Sequence, residues 1–594
     1  MIFNAYAQTV HRDIIFSDNV RREIIMGNFS LVRNSAILAV YASTLFGAVI
    51  GVLVSVAAAT FVEIVEFFTI LREQSELTHF EIGLFSFNPI VAVMITVSAI
   101  LILIIRSTFQ IGRWHGPADT MYVAHQEVEP LDIKIGVAST LAALASACGG
   151  ASVGQYGPLV HFGATVSSLL KRLLSVQVKG NVVIGAGVAA AISAGFDAPI
   201  AGIIFAHEAI IRHFSPKAMA PIATSAIVAA AMVNYVFVLP DPLVLHGEPP
   251  ALVAALLPVI FSAVFFGFIA VVFMTCLRSS TQLNQKLKLP AHQSIIIAIL
   301  SVIFIGALVP SSLGLGTSTL TELLSIPHSL GFVLALIAAK IILTSACLGF
   351  GFFGGVFSPA LLVGAASGVA VSRIFDASMS SGLTSALTLA GMASVAACVV
   401  GAPLATVFIV LELTLSYEFT LITLLAVVVS QVVSENLFGH SFFDRQLIDR
   451  GIDLRFGRSQ LGLTLTNITE CSTSDFLQVS ESTSVSSVIA TMRSEAKTEA
   501  YCTDENGAFA GKTNINLLLS EDPSATVSLA LESAPLVLSA ESSLNEAMEK
   551  AATFVGESIP VVDLETKQMT GVVTEADLFA AYLEVQEEVR LVEK

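Results

Sequence analysis

Charge is in short supply in this sequence. Asp, Glu, Lys and Arg together make up 13% of its 594 residues, roughly half of the ~25% that a soluble domain carries. The chain therefore reads as an integral membrane protein of several spans, with a smaller soluble part. Cysteine is sparse and unpatterned. The six, at positions 148, 276, 347, 398, 471 and 502, form no CxxC pair and no metal-ligand spacing, so no disulfide framework is indicated and no metal is expected. Four of them lie in apolar runs, where a cysteine acts as a small hydrophobe. The formal net charge of −17 argues against a nucleic-acid partner, because a phosphate backbone needs cations. No cleavable leader is expected either. Residues 1–35 place His11, Arg12, Asp13, Arg21, Arg22, Glu23 and Arg33 ahead of any long apolar run. They read as an interfacial or cytoplasmic helix, and basic residues beside the first span favour a cytoplasmic N-terminus.

What the chain does have is apolar length, with 55% hydrophobic residues and a mean hydropathy of +0.81. Apolar helices are expected at about 36–70, 89–105, 133–148, 158–175, 182–194, 199–213, 218–238, 252–276, 293–309, 329–348, 359–374, 384–400, 403–416 and 418–437. Several fall short of the ~20 residues that cross a bilayer, which points to discontinuous helices around a binding site. The acidity lies elsewhere. From Leu461 to Lys594 there are 22 acidic and 7 basic residues, a balance of −15, which leaves 24 acidic and 22 basic residues in 1–460. Beyond a polar connector, 441–463, two small α/β repeats are expected at 464–525 and 526–594. The second reads strand, helix (Leu544–Thr553), strand (Ile559–Asp563), strand (Met569–Val573), helix (Glu575–Leu583).

Two glycine-rich breaks interrupt the apolar part about 200 residues apart: Gly154-Gln155-Tyr156-Gly157-Pro158 and Gly354-Gly355-Val356-Phe357-Ser358-Pro359. Each follows a Ser-Ala-Cys run, at Ser146–Cys148 and Ser345–Cys347, and opens into a new helix-like stretch. A helix that starts inside a membrane points free N–H groups and the positive end of its dipole at whatever lies ahead. Two such starts in matching halves predict an anion site near the midplane. The halves also repeat. Residues 186–208 and 390–412 share seven of 23 positions, including Ala198-Pro199 with Ala402-Pro403, and Glu208 with Glu412. Acids at membrane depth are functional candidates by default, but each of these sits nine residues after its proline and reads better as satisfying buried donors.

Together these residues resemble the CLC family of chloride channels and chloride/proton antiporters over about 35–450, and the tail resembles a tandem pair of CBS domains. The strongest match is Gly355–Pro359 with the family's G-x-F-x-P. Next are Gly154–Pro158 with G-[KR]-E-G-P, and Gly195-Phe196-Asp197-Ala198-Pro199-Ile200-Ala201-Gly202 with its Glu208. The resemblance implies an all-α polytopic membrane protein at 36–440, with two inverted repeats of broken and tilted helices at about 36–240 and 250–440, followed by a cytoplasmic α/β CBS pair. It also implies a homodimer in the plasma or inner membrane, with both termini cytoplasmic. Each subunit would have its own pathway for chloride or related anions, with backbone N–H groups of Gln155, Tyr156, Gly157, Val356, Phe357 and Ser358 facing the anion.

Four positions depart from that pattern. Tyr156 stands where the family has its gating glutamate. A phenol titrates near ~10, so it can hydrogen-bond an anion near pH 7 but cannot imitate one; the alternative is a passive plug or wall residue. Ala209 stands at the internal proton-transfer glutamate and cannot titrate. The anion-contacting serine falls on His115, in Trp114-His115-Gly116-Pro117-Ala118, where an imidazole brings one donor or, protonated, a charge; equally, a rebuilt loop packs His115 elsewhere. The anion-contacting tyrosine of the last membrane helix falls on Phe443, which lacks a hydroxyl. His161 reads as a packed helix residue. His207-Glu208 lacks the second histidine of a zinc protease.

In the tail, Thr574-Glu575-Ala576-Asp577 matches the CBS element that holds an adenosine ribose, while Leu517 fills the Asp slot of the first repeat. At most one adenine-nucleotide site is implied, at Thr574 and Asp577. With gate and relay both changed, passive, channel-like anion flux is expected, with no required cofactor and no enzymatic activity. The rivals are a proton-coupled antiporter using His115, His207 or Glu208, and a CBS-based sensor with a non-conducting membrane domain.

Overall fold

The computed structural model describes residues 38–593, apart from 39, 74–79, 83–84, 127–130, 175–177, 238–247, 326–327, 376–380 and 455–456. The helix expected at 1–35 lies outside the described residues. The chain forms two units, Met1–Asp449 and Arg450–Lys594.

The first unit is helical: α1 (Val40–Glu73), α2 (Pro89–Phe109), α3 (Pro117–His125), α4 (Ile133–Cys148), α5 (Tyr156–Leu174), α6 (Gly180–Phe196), α7 (Pro199–Phe205), α8 (Pro216–Met232), α9 (Leu252–Leu287), α10 (Ala291–Leu308), α11 (Thr317–Ser325), α12 (Leu330–Gly349), α13 (Phe357–Phe375), α14 (Ser381–Val400), α15 (Pro403–Thr414), α16 (Tyr417–Leu437) and α17 (Phe442–Ile448). Among the described residues, nine helices are long and apolar enough to cross a membrane, and four shorter apolar ones accompany them. Three helices of the first unit lie outside the expected apolar set: α3, which follows the Gly116-Pro117 start; α11, whose Thr/Ser-rich sequence carries no long apolar run; and α17, which falls in the expected connector. The expected end of α9 near residue 276 is also corrected, since the helix continues through a polar stretch to Leu287.

Equivalent helix pairs in the two halves pack backbone on backbone. A Cβ on Gly163 would stand 2.3 Å from the Gly187 carbonyl oxygen, and one on Gly364 would stand 2.2 Å from that of Gly391. These contacts join α5 to α6 and α13 to α14, the close approach that small residues permit in lipid.

The halves exchange a more specific contact. Helices α7 and α15 both open at a proline, and neither has a side-chain N-cap from its own sequence. Instead, the Glu412 carboxylate accepts from Ile200 N (2.9 Å) and Ala201 N (2.8 Å) at the start of α7. The Glu208 carboxylate, in the π-helical continuation Ala206–Ile211 of α7, accepts from Leu404 N (3.0 Å) and Ala405 N (2.9 Å) at the start of α15. Each acid lies near the C-terminal end of one helix and caps the N-terminus of the other. The two equivalent helices therefore run antiparallel, as inverted repeats require.

The connector is shorter than the expected 441–463. Residues Phe442–Ile448 form α17, which belongs to the first unit and packs against α3 and α14 with Phe442, Phe443 and Leu447 buried. Residues Gly457–Leu465 form a helix of the second unit, against Leu544–Ala551 and Glu575–Glu593. Apolar side chains inside a nominally polar stretch dock both segments.

The second unit repeats one plan twice. Beyond the short hairpin of the first unit (β1, Phe80–Ile82; β2, Phe85–Phe87) come β3 (Gln478–Ser480), β4 (Glu499–Thr503), β5 (Phe509–Asn514), β6 (Leu538–Ser539), β7 (Ile559–Val562) and β8 (Met569–Val573). They form sheets β3-β4-β5 and β6-β7-β8, each with one parallel and one antiparallel pairing. Burial pushes the Cys502 thiol on β4 up to about 12, so it stays an inert thiol at neutral pH. A buried charge links the repeats. Lys512 Nζ pairs with Glu499 Oε1 at 2.5 Å and donates to the Ser558 carbonyl at 2.7 Å. Ser558 Oγ donates to Glu499 Oε2 at 2.6 Å and contacts the Tyr501 hydroxyl.

Two outcomes are expected. Glu412→Ala strips two charge-assisted bonds from the start of α7 and should lower stability by about 2–3 kcal/mol, while Glu412→Gln, which keeps an acceptor oxygen, should cost less; thermal unfolding in detergent reads both. Lys512→Met leaves Glu499 unpaired and should weaken the tail by about 3 kcal/mol, seen as faster amide exchange across β4 and β5 in the intact protein.

Candidate functional site: two helix starts at a paired glycine break

The two glycine-rich breaks meet. Gly154 and Gly355 exchange both backbone hydrogen bonds, N to O at 2.6 Å in each direction, as an isolated antiparallel bridge. The approach needs bare backbone: a Cβ on Gly154 would stand 3.0 Å from the Gly355 oxygen and 3.1 Å from Ser358 N. Immediately beyond the bridge, α5 starts at Tyr156 and α13 at Phe357. The first intrahelical bonds are Leu159 N to Gln155 O (3.1 Å) and Ala360 N to Val356 O (3.0 Å). The N–H groups of Tyr156 and Gly157, and of Phe357 and Ser358, precede them, and prolines 158 and 359 follow with no N–H. Both starts thus offer the same short set of donors at a positive dipole end.

A third helix start joins them. A Cβ on Gly157 would stand 3.0 Å from Gly355 Cα and 3.5 Å from Pro117 Cγ, so α3 begins beside the same break. His115, two residues before α3, donates its backbone N–H to Ser139 Oγ (3.0 Å), and its ring lies edge-on to that of His161 at 6.0 Å. His161 Nδ1 shares a 2.8 Å hydrogen bond with Thr120 Oγ1 on α3. Two buried side-chain atoms within the breaks, Gln155 Oε1 and Ser358 Oγ, have no hydrogen-bond partner among the described residues. Such atoms are costly to leave unmatched and mark the polar lining of this region.

The Tyr156 ring is held by aromatic neighbours. It stacks on Phe196 at 3.7 Å and meets Phe357 edge-on at 5.9 Å, while Phe196 meets Phe357 at 5.2 Å. Gly195 leaves room for it, since a Cβ there would stand 2.9 Å from Tyr156 Cε1. The Gly195-Phe196 motif is visible in the sequence, but its role as the bed of the Tyr156 ring is not.

The remaining candidates lie around this centre. Phe443 is buried in the first turn of α17, against α3 and α14. Ala209 is buried within Ala206–Ile211, which packs on α3. His207 stacks on Phe214 at 4.6 Å and shares a hydrogen bond with the Ile203 carbonyl at 3.0 Å. In the tail, Asp577 Oδ2 accepts from Thr574 N (2.9 Å) and Thr574 Oγ1 (2.7 Å), closing the turn that starts the last helix. That contact closes the N-terminus of the last helix. In the first repeat, Asn514 Oδ1 does the same work for Asn516 N and Leu517 N.

Comparison with known proteins agrees with this architecture. A family model described as voltage gated chloride channel matches residues 97–435, and a CBS domain model matches residues 529–584. A relative in Salmonella typhi, described as voltage-gated ClC-type chloride channel ClcB, is 25% identical over 407 residues, covering 67% of this chain and 97% of that protein. Among solved structures, a slow cyanobacterial Cl⁻/H⁺ antiporter shares the fold at a TM-score of 0.60 and 20% identity, over 69% of this chain and 97% of that one. A eukaryotic CLC transporter does so at 0.60 and 17%, over 91% and 98%. The first family model spans more than half of the sequence, and the chain belongs to the voltage gated chloride channel family, the CLC family.

Proposed function

We propose that this protein carries chloride or related anions across the membrane passively, without stoichiometric proton exchange. The observation that carries the proposal is the Tyr156 ring, stacked on Phe196 and edge-on to Phe357 at the start of α5. It occupies the place where the family resemblance puts a gating carboxylate. A phenol with a reference pKa near ~10 carries no charge near pH 7 with which to compete with an anion, and it keeps its proton rather than exchanging it for one. Two further features support the reading. Ala209 has nothing to titrate, and the neighbouring Glu208 is engaged with the backbone of α15. Donors at helix starts attract an anion without a full positive charge, which suits conduction because the anion must also leave.

The working unit in this reading is a homodimer with one anion pathway per subunit, in the plasma or inner membrane with both termini cytoplasmic. A proton-coupled reading has one observation in its favour, the His115–His161 ring contact at 6.0 Å beside the three helix starts.

Chloride flux from proteoliposomes under an imposed proton gradient separates the two. Passive transport shows no uphill chloride movement, whereas gradient-driven accumulation would overturn the proposal. The wedge itself can be converted. Tyr156→Glu should introduce a carboxylate that blocks when ionised and yields when protonated, so flux should rise as pH falls. The rise should reach up to about tenfold per pH unit above the carboxyl pKa, following the protonated fraction. A flat pH profile in that variant would show that position 156 does not face the anion.

A further inference from the structure

The geometry points to Arg212 and Asp444 as positioning residues of the anion pathway: their ion pair fixes the first turn of α17, and with it the Phe443 ring, to the π-helical segment of the first half. The inference rests on the reading of Phe443 as a pathway residue.

Helix α17 has seven residues, too few to be held by helix propensity alone, so its position is set by what it docks on. Phe442, Phe443 and Leu447 supply a buried face. The polar side is organised around Asp444. Ser441 Oγ accepts from Asp444 N at 3.2 Å and donates to Asp444 Oδ2 at 2.7 Å, which fixes the carboxylate and leaves Oδ1 for Arg212 Nη2. The two side chains are 21% and 17% exposed, so water and salt screen the pair far less than a surface contact.

Arg212 comes directly after Ala206–Ile211 with φ 58°, a left-handed conformation. A side chain there costs about 1 kcal/mol or more and persists where its surroundings hold it. The segment before it also carries Glu208, which binds Leu404 and Ala405. Just upstream of those residues, Gly401 (φ 77°) lies under Ser441, where a Cβ would stand 2.7 Å from Ser441 Cβ. One short π segment thus holds the second half twice, through the start of α15 and through the start of α17. Both contacts converge on Gly401–Ala405 and Ser441–Asp444. The far end of α17 is tied differently: Asp449 pairs with Arg278 of α9 (2.8 Å) and with Arg445 (3.2 Å), at 33–35% exposure for Arg278 and Asp449. That pair is more open to water and lies away from Phe443, so it serves as the control.

The test measures chloride and nitrate flux from proteoliposomes for the full chain and its variants, with folding checked by thermal unfolding. Phe443→Ala should shift the chloride-to-nitrate ratio. Arg212→Gln and Asp444→Asn should each shift it in the same direction by about threefold or more, the lower range for residues sharing one interaction. Arg212→Lys should stay near the parent, the exchange Arg212→Asp with Asp444→Arg should move the ratio back toward it, and Arg278→Gln should leave it unchanged. If Phe443→Ala shifts the ratio while Arg212→Gln and Asp444→Asn do not, the positioning role is wrong and the pathway reading of Phe443 stands. If Phe443→Ala changes neither ratio nor rate, the pathway reading fails and the inference falls with it. Should Arg212→Gln not fold, Asp444→Asn and the charge exchange carry the same comparison, and an exchange no closer to the parent than Asp444→Asn would overturn the inference.

Discussion

A helix that begins inside a bilayer has N–H groups that lipid cannot satisfy, and the first unit is organised around how each of its interior helix starts meets that demand. Helices α7 and α15 satisfy each other, because Glu208 and Glu412 reach across the halves to close both starts. The breaks before α5 and α13 satisfy each other in part, through the Gly154–Gly355 bridge. What remains open is the first turn of α5 and of α13, beside the start of α3. The same constraint that caps α7 and α15 with carboxylates from the opposite half leaves the starts of α5 and α13 meeting at the glycine bridge, while the neighbouring α3 start is closed by its own Asp119, which accepts from Gly116 N at 2.9 Å. In the proposed reading, an anion is the partner of the α5 and α13 starts.

This distribution also explains why two intramembrane acids coexist with an anion pathway. A free carboxylate near the α5 and α13 starts would compete for their donors. Glu208 and Glu412 are each bound to two backbone amides at the start of another helix, so their charge is matched where it sits. Position 156, where the family resemblance would put a third acid, carries a ring whose neighbours are rings.

The breaks, the repeat and the tail plan were all legible in the sequence, because each is written locally: glycine and proline at fixed spacing, an Ala-Pro with a glutamate nine residues on, and alternating short apolar runs. Contacts between the halves were not. Glu208 and Glu412 could be read as acids that satisfy donors, but nothing along the chain names amides about 200 residues away as those donors. Phe196 sits within a quoted motif, yet its stacking on Tyr156 depends on how α5 and α6 cross at Gly163 and Gly187. Read from sequence, the α17 stretch belongs to the connector because Asp444, Arg445 and Asp449 look solvated. In the fold Asp444 pairs with Arg212, Asp449 pairs with Arg278 and Arg445, and the phenylalanines beside them are buried. The π-helical turn at Ala206–Ile211 has no sequence signature of its own.

That π turn bears on how the two halves could move. A π-helical segment is less regular than the α-helix around it and often marks functional sites. Here it carries Glu208 on one side and leads into Arg212 on the other, so a change in its winding would act on the start of α15 and on α17 together. The α5 and α13 starts are tied instead to each other, through the glycine bridge and the Tyr156–Phe196–Phe357 cluster. The first turns of α5 and α13 and the helix that carries Phe443 therefore hang on different supports. An arrangement of that kind lets α17 shift while the first turns of α5 and α13 stay in place.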